Sequence, residues 1–166
     1  MSELIIPIVS VVCGISGLIY LSRGPIFLPT HRQDIDEMAR ILDIKQGDMA
    51  VDLGSGDGRI VIAMARAGAE AHGYENNPVL VWWSRLKIKK AGLSEHAFIH
   101  REDFWRCDFS KFNVVTVFGI NYIMKRLESK ILKEAKSGLK VISFMFPLPT
   151  LKPESKKGGI YFYRIP

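Results

Sequence analysis

Met49-Ala50-Val51-Asp52-Leu53-Gly54-Ser55-Gly56-Asp57-Gly58-Arg59 is the stretch on which the fold turns. Its apolar first half reads as the end of a buried strand. Gly54, Gly56 and Gly58 then make a tight turn, and residues 60–67 are patterned as a helix stopped by Gly68. Glycines belong where backbone must approach a ligand closely or take φ > 0. Strand, glycine turn and helix N-terminus in succession form the nucleotide cradle of an open α/β sheet. Glu75 stands 21 residues after Gly54, at the end of the next strand-like run (70–75). A carboxylate in that place accepts hydrogen bonds from ribose hydroxyls.

The spacing selects among nucleotides. A dinucleotide fingerprint is G-x-G-x-x-G, closed on a pyrophosphate. Here the pattern is Asp52-x-Gly54-x-Gly56-x-Gly58, with a second acid, Asp57, inside the turn. Two carboxylates repel a pyrophosphate and suit a cationic ligand. No Gly-Lys-Ser/Thr follows, so a Walker loop is excluded. The pattern resembles motif I of the class I (seven-strand) methyltransferases, and that resemblance implies S-adenosyl-L-methionine as cofactor. It is held by Asp52, Gly54, Ser55, Gly56, Asp57, Gly58, Glu75 and the neighbouring Asn76.

Working outward toward the N-terminus, residues 4–21 are eighteen in a row without a charge. As a helix they reach about 27 Å, close to the thickness of a bilayer core. The chain opens Met-Ser-Glu, which lacks the basic start of a signal peptide. A single membrane anchor over 1–22 is therefore expected. Arg23, His31 and Arg32 follow the anchor, so the positive-inside rule places the remaining domain in the cytoplasm, or in the matrix of a mitochondrion. Residues 23–33 form a proline-rich connecting segment, in which Thr30 and Gln33 make a capping box. The helix that follows carries Ile35, Met38, Ala39 and Leu42 on one face, and 34–166 forms one domain.

The 166 residues are 48% apolar, enough for one sizeable core. The two cysteines and four histidines are scattered without ligand spacing, so neither a disulfide framework nor a metal site is expected. The net charge of +6 leaves phosphate contact open.

Beyond Glu75, Asn77-Pro78 reads as an N-cap followed by proline at the first helical position. This helix runs to about Ala91, with Trp82, Trp83 and Leu86 expected on its buried side and a basic cluster (Arg85, Lys87, Lys89, Lys90) in solvent or against anionic lipid headgroups. Strands are expected at 97–101, 114–118 and 139–146, with a helix between the last two that carries Ile123, Leu127 and Ile131. Residues 152–159 read as a loop, and 160–165 as a last short strand. Glu102-Asp103-Phe104-Trp105, delivered to the same sheet edge, offers an acid and aromatic faces for an adenine. Asp103 and Phe104 are the chosen pair.

Several stretches together resemble one family, the membrane-anchored protein-lysine methyltransferases that modify the adenine nucleotide translocase and the ATP synthase c-subunit, with shorter prokaryotic relatives. The resembling segments are Leu28-Pro29-Thr30, Asp52 through Arg59, Gly73 through Pro78, Ser84-Arg85, Asp103-Phe104-Trp105, Val117-Phe118-Gly119 and Phe146-Pro147-Leu148-Pro149. Family members commonly have leucine where Asn76 stands. The resemblance implies a Rossmann-like sheet of order 3-2-1-4-5 with an abbreviated antiparallel end. It implies methyl transfer to a lysine of a membrane protein, with Thr30, Phe118, Tyr122 and Phe146 around the reacting centre. Three alternatives stand beside it: a small-molecule or lipid methyltransferase, a nucleic-acid methyltransferase, and a non-catalytic cofactor-binding protein. Enzymes that methylate base amines usually place Asp/Asn-Pro-Pro-aromatic after the fourth strand, where this chain reads Phe118-Gly119-Ile120-Asn121. No nucleic-acid partner is expected.

Overall fold

The glycine turn joins strand β1 (Met49–Leu53) to helix α2 (Arg59–Arg66) in a computed structural model of the chain, which describes residues 32–166. The expected membrane anchor (1–22), nearly all of the connecting segment (23–33) and Thr30 lie outside the described residues. Among the described residues, no helix is long and apolar enough to cross a membrane. Around the turn the order is α1 (Arg32–Leu42), β1, α2, β2 (Glu70–Tyr74), α3 (Pro78–Lys90) and β3 (Ala97–His100). There follow two short 3-10 turns (Phe104–Arg106 and Phe109–Lys111), β4 (Val114–Phe118), α4 (Asn121–Glu134), β5 (Lys140–Phe144), β6 (Ser155–Lys157) and β7 (Ile160–Arg164).

The strands form one seven-stranded sheet in the order β3-β2-β1-β4-β5-β7-β6. The first five are parallel, and β7 runs antiparallel to both β5 and β6. The parallel part has the order the resemblance implies. Its direction of winding reverses between β1 and β4, and ligands of open α/β sheets bind at the carboxyl ends of the strands beside such a reversal.

Alternation along the strands sends residues to two cores. Ala50, Ala71, Val114 and Ile142 face Met38, Leu42, Val61, Met64, Val81 and Ile88 on one side of the sheet. Val51, Leu53, Val115, Val117 and Val141 face Met124, Leu127, Ile131 and Phe109 on the other. Strands covered on both faces need apolar residues at consecutive positions, which is why β4 reads as a continuous apolar run.

Three expectations are corrected. In α3 the buried stripe is Val81, Ser84 and Ile88, while Trp82 and Trp83 are 63% and 48% exposed. The cause is close approach: a Cβ on Gly58 would sit 2.8 Å from Ser84 Cβ. The helix must therefore dock by its small residue, which turns the tryptophans outward. Strand β5 ends at Phe144, two residues early, because Met145 takes φ 71 and leaves the ladder. Its N–H donates instead to Gly159 O at 2.8 Å. The tail loop contains β6, so the antiparallel end is a complete two-stranded hairpin turning at Gly158-Gly159.

Candidate functional site

At the sheet edge the glycine turn is held entirely from within. The N–H groups of Gly54 and Ser55 both donate to Tyr74 O at 2.9 Å, and Gly58 N–H donates to Ser55 O at 2.9 Å. Gly56 N–H donates to Glu75 Oε2 at 3.0 Å. Phosphate nests work by aiming unsatisfied N–H groups at the anion. Here the N–H groups of all three glycines and of Ser55 are already taken by acceptors of the protein itself.

Glu75 ties the turn to the next helix. Its Oε1 accepts from Asn77 N–H at 2.7 Å, while Asn77 Oδ1 caps α3 by accepting from Val79 N–H (2.9 Å) and Leu80 N–H (3.4 Å). An ionised carboxylate offers about four lone-pair sites. Two bonds therefore leave Glu75 acceptor capacity for hydroxyls of a ligand. Gly54 (φ 78) is exposed, and a Cβ built there would meet nothing within 4 Å. The backbone at this point borders open space.

Asp52 is 2% exposed and sits on the α1–α2 side of the sheet. Its register partner on β4, Thr116, donates to Asp52 Oδ1 at 2.8 Å. Burial pushes the Asp52 carboxyl up to about 7, against the Thr116 bond and with help from the negative charges of Glu75 and Asp57. A buried carboxylate at this strand end favours a cation placed beside it.

Asp57 does something other than expected. It is buried and opposes burial with two cations, Arg59 (2.8 Å) and Lys87 of α3 (2.8 Å), whose bonds hold it down to about 2. Its charge is spent on fastening the turn to α3, so the acids left for a ligand are Asp52, Glu75 and Asp103. Ser55 is likewise structural in its side chain. It lies beneath the turn against Gly73, where an added Cβ would meet Ser55 Oγ at 2.6 Å. Among the described residues, Ser55 Oγ is buried without a hydrogen-bond partner.

Asp103 is exposed and caps the first 3-10 turn, its Oδ1 accepting from Trp105 N–H at 3.1 Å. Phe104 packs on Trp105 with ring centroids 4.8 Å apart, and Arg126 of α4 lies 4.0 Å over the Trp105 ring. Asn76 is exposed between Glu75 and the Asn77 cap. The carboxyl ends of β1, β2 and β3 thus bring Asp52, Glu75 and Asp103 to one rim.

Across the reversal point, β4 and β5 deliver the aromatics. Phe118 meets Phe144 edge-on at 5.3 Å. Phe146 abuts Gly119, whose added Cβ would come within 3.4 Å of Phe146 Cβ. Tyr122, on the first turn of α4, is 78% exposed. The Pro147-Leu148-Pro149 segment after β5 is pinned by buried Glu128 of α4, which accepts from Thr150 N–H (2.9 Å) and Leu151 N–H (2.7 Å), and by Tyr163 Oη, which accepts from Leu148 N–H at 2.9 Å. Thr116 and Glu128 were not singled out from the sequence, and Lys87 was expected in solvent or against lipid headgroups rather than on Asp57. The partners of Lys87, Thr116 and Glu128 lie 30, 64 and 22 residues away, and only charge complementarity offered a signal.

The family described as "ANTKMT methyltransferase domain" matches residues 52–155, from the buried aspartate of the turn to the start of β6. The chain belongs to this family. Its curated relatives include the ATP synthase c-subunit lysine N-methyltransferase of Mus musculus, 39% identical over 132 residues, covering 80% of this chain and 53% of the relative. They also include a protein-lysine N-methyltransferase of Saccharolobus islandicus, 32% identical over 137 residues, covering 81% of this chain and 84% of the relative. This chain spans about half the length of the vertebrate relatives it matches. Among solved structures, an RNA methyltransferase from Salinibacter ruber in complex with S-adenosyl-L-homocysteine superposes with a TM-score of 0.79 at 31% identity, over 84% of this chain and 94% of that one.

Proposed function

We propose that this chain is an S-adenosyl-L-methionine-dependent protein-lysine N-methyltransferase acting on a membrane or membrane-associated protein. The observation that carries the reading is the turn at residues 54–58, in which the N–H groups of Gly54, Ser55, Gly56 and Gly58 donate to acceptors of the protein itself while Asp52 and Glu75 stand beside it. That arrangement suits a positively charged nucleoside and is unsuited to a pyrophosphate. S-adenosyl-L-methionine supplies an electrophilic methyl group on a sulfonium.

The residues have the following roles in this reading. Glu75 accepts from ribose hydroxyls with the lone pairs that Gly56 and Asn77 leave free. Asp103 accepts from the exocyclic amine of adenine, with Phe104 against the ring and Asn76 beside it. Gly54 and Gly56 keep the backbone low at the ligand, and Gly58, Ser55 and Asp57 hold the turn in place. Asp52 faces the positive charge. The target lysine must lose its proton before it attacks, and its ordinary pKa is about 10.4. Burial and a neighbouring sulfonium both lower that value, so positioning supplies most of the acceleration. Phe118, Tyr122 and Phe146 hold the methylated ammonium by cation–π attraction, and Thr30 offers a polar group at the reacting centre.

Residues 1–22 serve as a single membrane anchor, 23–33 as the connection, and 34–166 as the catalytic domain on the cytoplasmic side, or on the matrix side of a mitochondrial inner membrane. The lysine substrate is preferred to a base amine because residues 118–121 lack the Asp/Asn-Pro-Pro-aromatic tetrapeptide. The name of the relative from Saccharolobus islandicus supports the same choice.

A detergent-solubilised membrane fraction incubated with the chain and tritiated cofactor tests this. Label is expected on lysine of a small integral membrane protein. Label confined to lipid or RNA rejects the substrate class.

A further inference from the structure

Helix α3 is apolar on two opposite sides. Its inner stripe is Val81, Ser84 and Ile88. At 3.6 residues per turn, Val79, Trp82, Trp83 and Leu86 follow i, i+3, i+4 and i+7 on the outer side, directly opposite. Val79 is 68% exposed and the two tryptophans 63% and 48%, their rings 6.2 Å apart. Nothing in the fold described above uses this outer stripe. Adjacent exposed tryptophans on one helix face mark a surface that meets something else.

The charges around the stripe say what that is. Pro78–Lys90 contains four cations and no acid. Two of the four are occupied: Lys87 binds Asp57 at 2.8 Å, and Arg85 donates to Ile99 O at 2.6 Å. Lys89 and Lys90, at the end of the stripe, are exposed, and the whole chain carries +6. Tryptophan settles at the headgroup level of a bilayer, where its ring is half apolar and its N–H stays wet. Lysines beside it are drawn to an anionic leaflet. An outward face of tryptophan and valine, fringed with lysine and free of carboxylates, is the composition of a helix that lies in a membrane interface. Partner proteins that accept a tryptophan pair use a pocket, and their choice of partner is set by charges of both signs.

We propose that the Val79–Trp82–Trp83–Leu86 face of α3 rests on the surface of an anionic lipid bilayer. This contact goes beyond the proposed function and needs neither methyl transfer nor the N-terminal anchor. The face begins two residues after Asn77, whose N–H binds Glu75. Seating it on the leaflet therefore brings the N-terminal end of α3, tied to Glu75 through Asn77, near the membrane surface.

The test uses the full chain with vesicles of phosphatidylcholine, with and without phosphatidylglycerol, whose acyl chains are plain or brominated. Bromine quenches tryptophan emission only on contact. The expected result is a blue shift and loss of emission in brominated anionic vesicles. Trp82→Ser/Trp83→Ser abolishes the loss, and Lys89→Gln/Lys90→Gln reduces it to the level seen in neutral vesicles. Trp105 supplies the residual signal, and Trp105→Phe isolates the pair in a chain that keeps both tryptophans, so the result does not depend on the double variant folding. Emission unchanged by bromine overturns the proposal, as does equal quenching in neutral and anionic vesicles. Shielding of the pair from acrylamide before vesicles are added means that another part of this chain, or a second copy, covers the face. Shielding that appears only with a solubilised membrane protein assigns it to a protein partner. Both outcomes overturn the lipid contact. Flotation of the chain with vesicles reports the anchor separately, so that reading survives or fails on its own.

Discussion

Replacing Asp52 by asparagine removes a charge from the interior while keeping the shape of the side chain. Burial raises the folded carboxyl to about 7 from an ordinary value of 3.8. A carboxyl so raised takes up protons on folding. Its contribution to stability is complete below about pH 3.8 and is lost as pH climbs through about 7. At 1.36 kcal/mol per pKa unit, the full shift is worth about 4 kcal/mol at pH 8 and less than about 1 kcal/mol at pH 4. An asparagine at this position would still accept from Thr116 through its oxygen, but its amide leaves two buried donors to satisfy, at a cost of about 1–3 kcal/mol. The variant should therefore be more stable than the native chain at pH 8, by up to about 3 kcal/mol, and less stable than it at pH 4. Urea unfolding of the ligand-free protein at the two pH values measures this directly. The same variant should bind S-adenosyl-L-homocysteine, which is neutral at sulfur, nearly as well as the native chain does. It should bind S-adenosyl-L-methionine, which is positive there, more weakly. Calorimetry in buffers of different ionisation heat should also detect proton release when the native chain binds the charged cofactor near pH 7. If asparagine gains nothing at pH 8, or if both cofactors respond alike, then the buried charge at Asp52 is not what the site offers a cation.

Two further substitutions probe Glu75 and the contact between the turn and α3. Glu75→Ala removes the acceptor of Gly56 and Asn77, proposed above also to accept from the ribose, and on that proposal should weaken S-adenosyl-L-methionine by the loss of a charge-assisted bond, about 1.5–3 kcal/mol. Calorimetry showing equal affinity would count against the assignment. Gly58→Ala places a Cβ 2.8 Å from Ser84 Cβ at a backbone φ of 76. It should destabilise the domain by about 2–4 kcal/mol from left-handed strain and overpacking together. Thermal unfolding checks it, and a smaller loss in Gly58→Ala/Ser84→Gly than in Gly58→Ala alone would identify the helix contact as the cause.

Local patterns in the sequence were sufficient for the strand-turn-helix at residues 49–66, for the Asn77-Pro78 helix start and for the parallel sheet. In each case the determining interactions lie within a few residues: alternation, a cap, a glycine. The acids were legible for the same reason, because Asp52 is the penultimate residue of β1, Glu75 follows β2 directly and Asp103 comes three residues after β3. What each acid does was not legible. Asp57 looks like a ligand group beside Asp52, yet its partner Lys87 is 30 residues away on a helix whose buried side was expected to carry Trp82, Trp83 and Leu86.

The rotation of that helix shows where sequence stops and tertiary structure begins. Periodicity gives α3 two candidate faces, and the larger residues, Trp82, Trp83 and Leu86, argue for burying theirs. The fold buries the other, on which Ser84 packs so closely over Gly58 that a Cβ there would lie 2.8 Å from Ser84 Cβ. The chain's own order of residues settled the strand-turn-helix at 49–66, the start of α3 and the apolar run of β4, since those follow from short-range pattern; the winding of the sheet came from the family resemblance, and strand β6 emerged only in the fold. Packing of distant parts decided the rest: which face of α3 meets the sheet, which acid is neutralised by Arg59 and Lys87, and which carboxyl is raised by burial. Those outcomes depend on distances between groups that the sequence holds far apart.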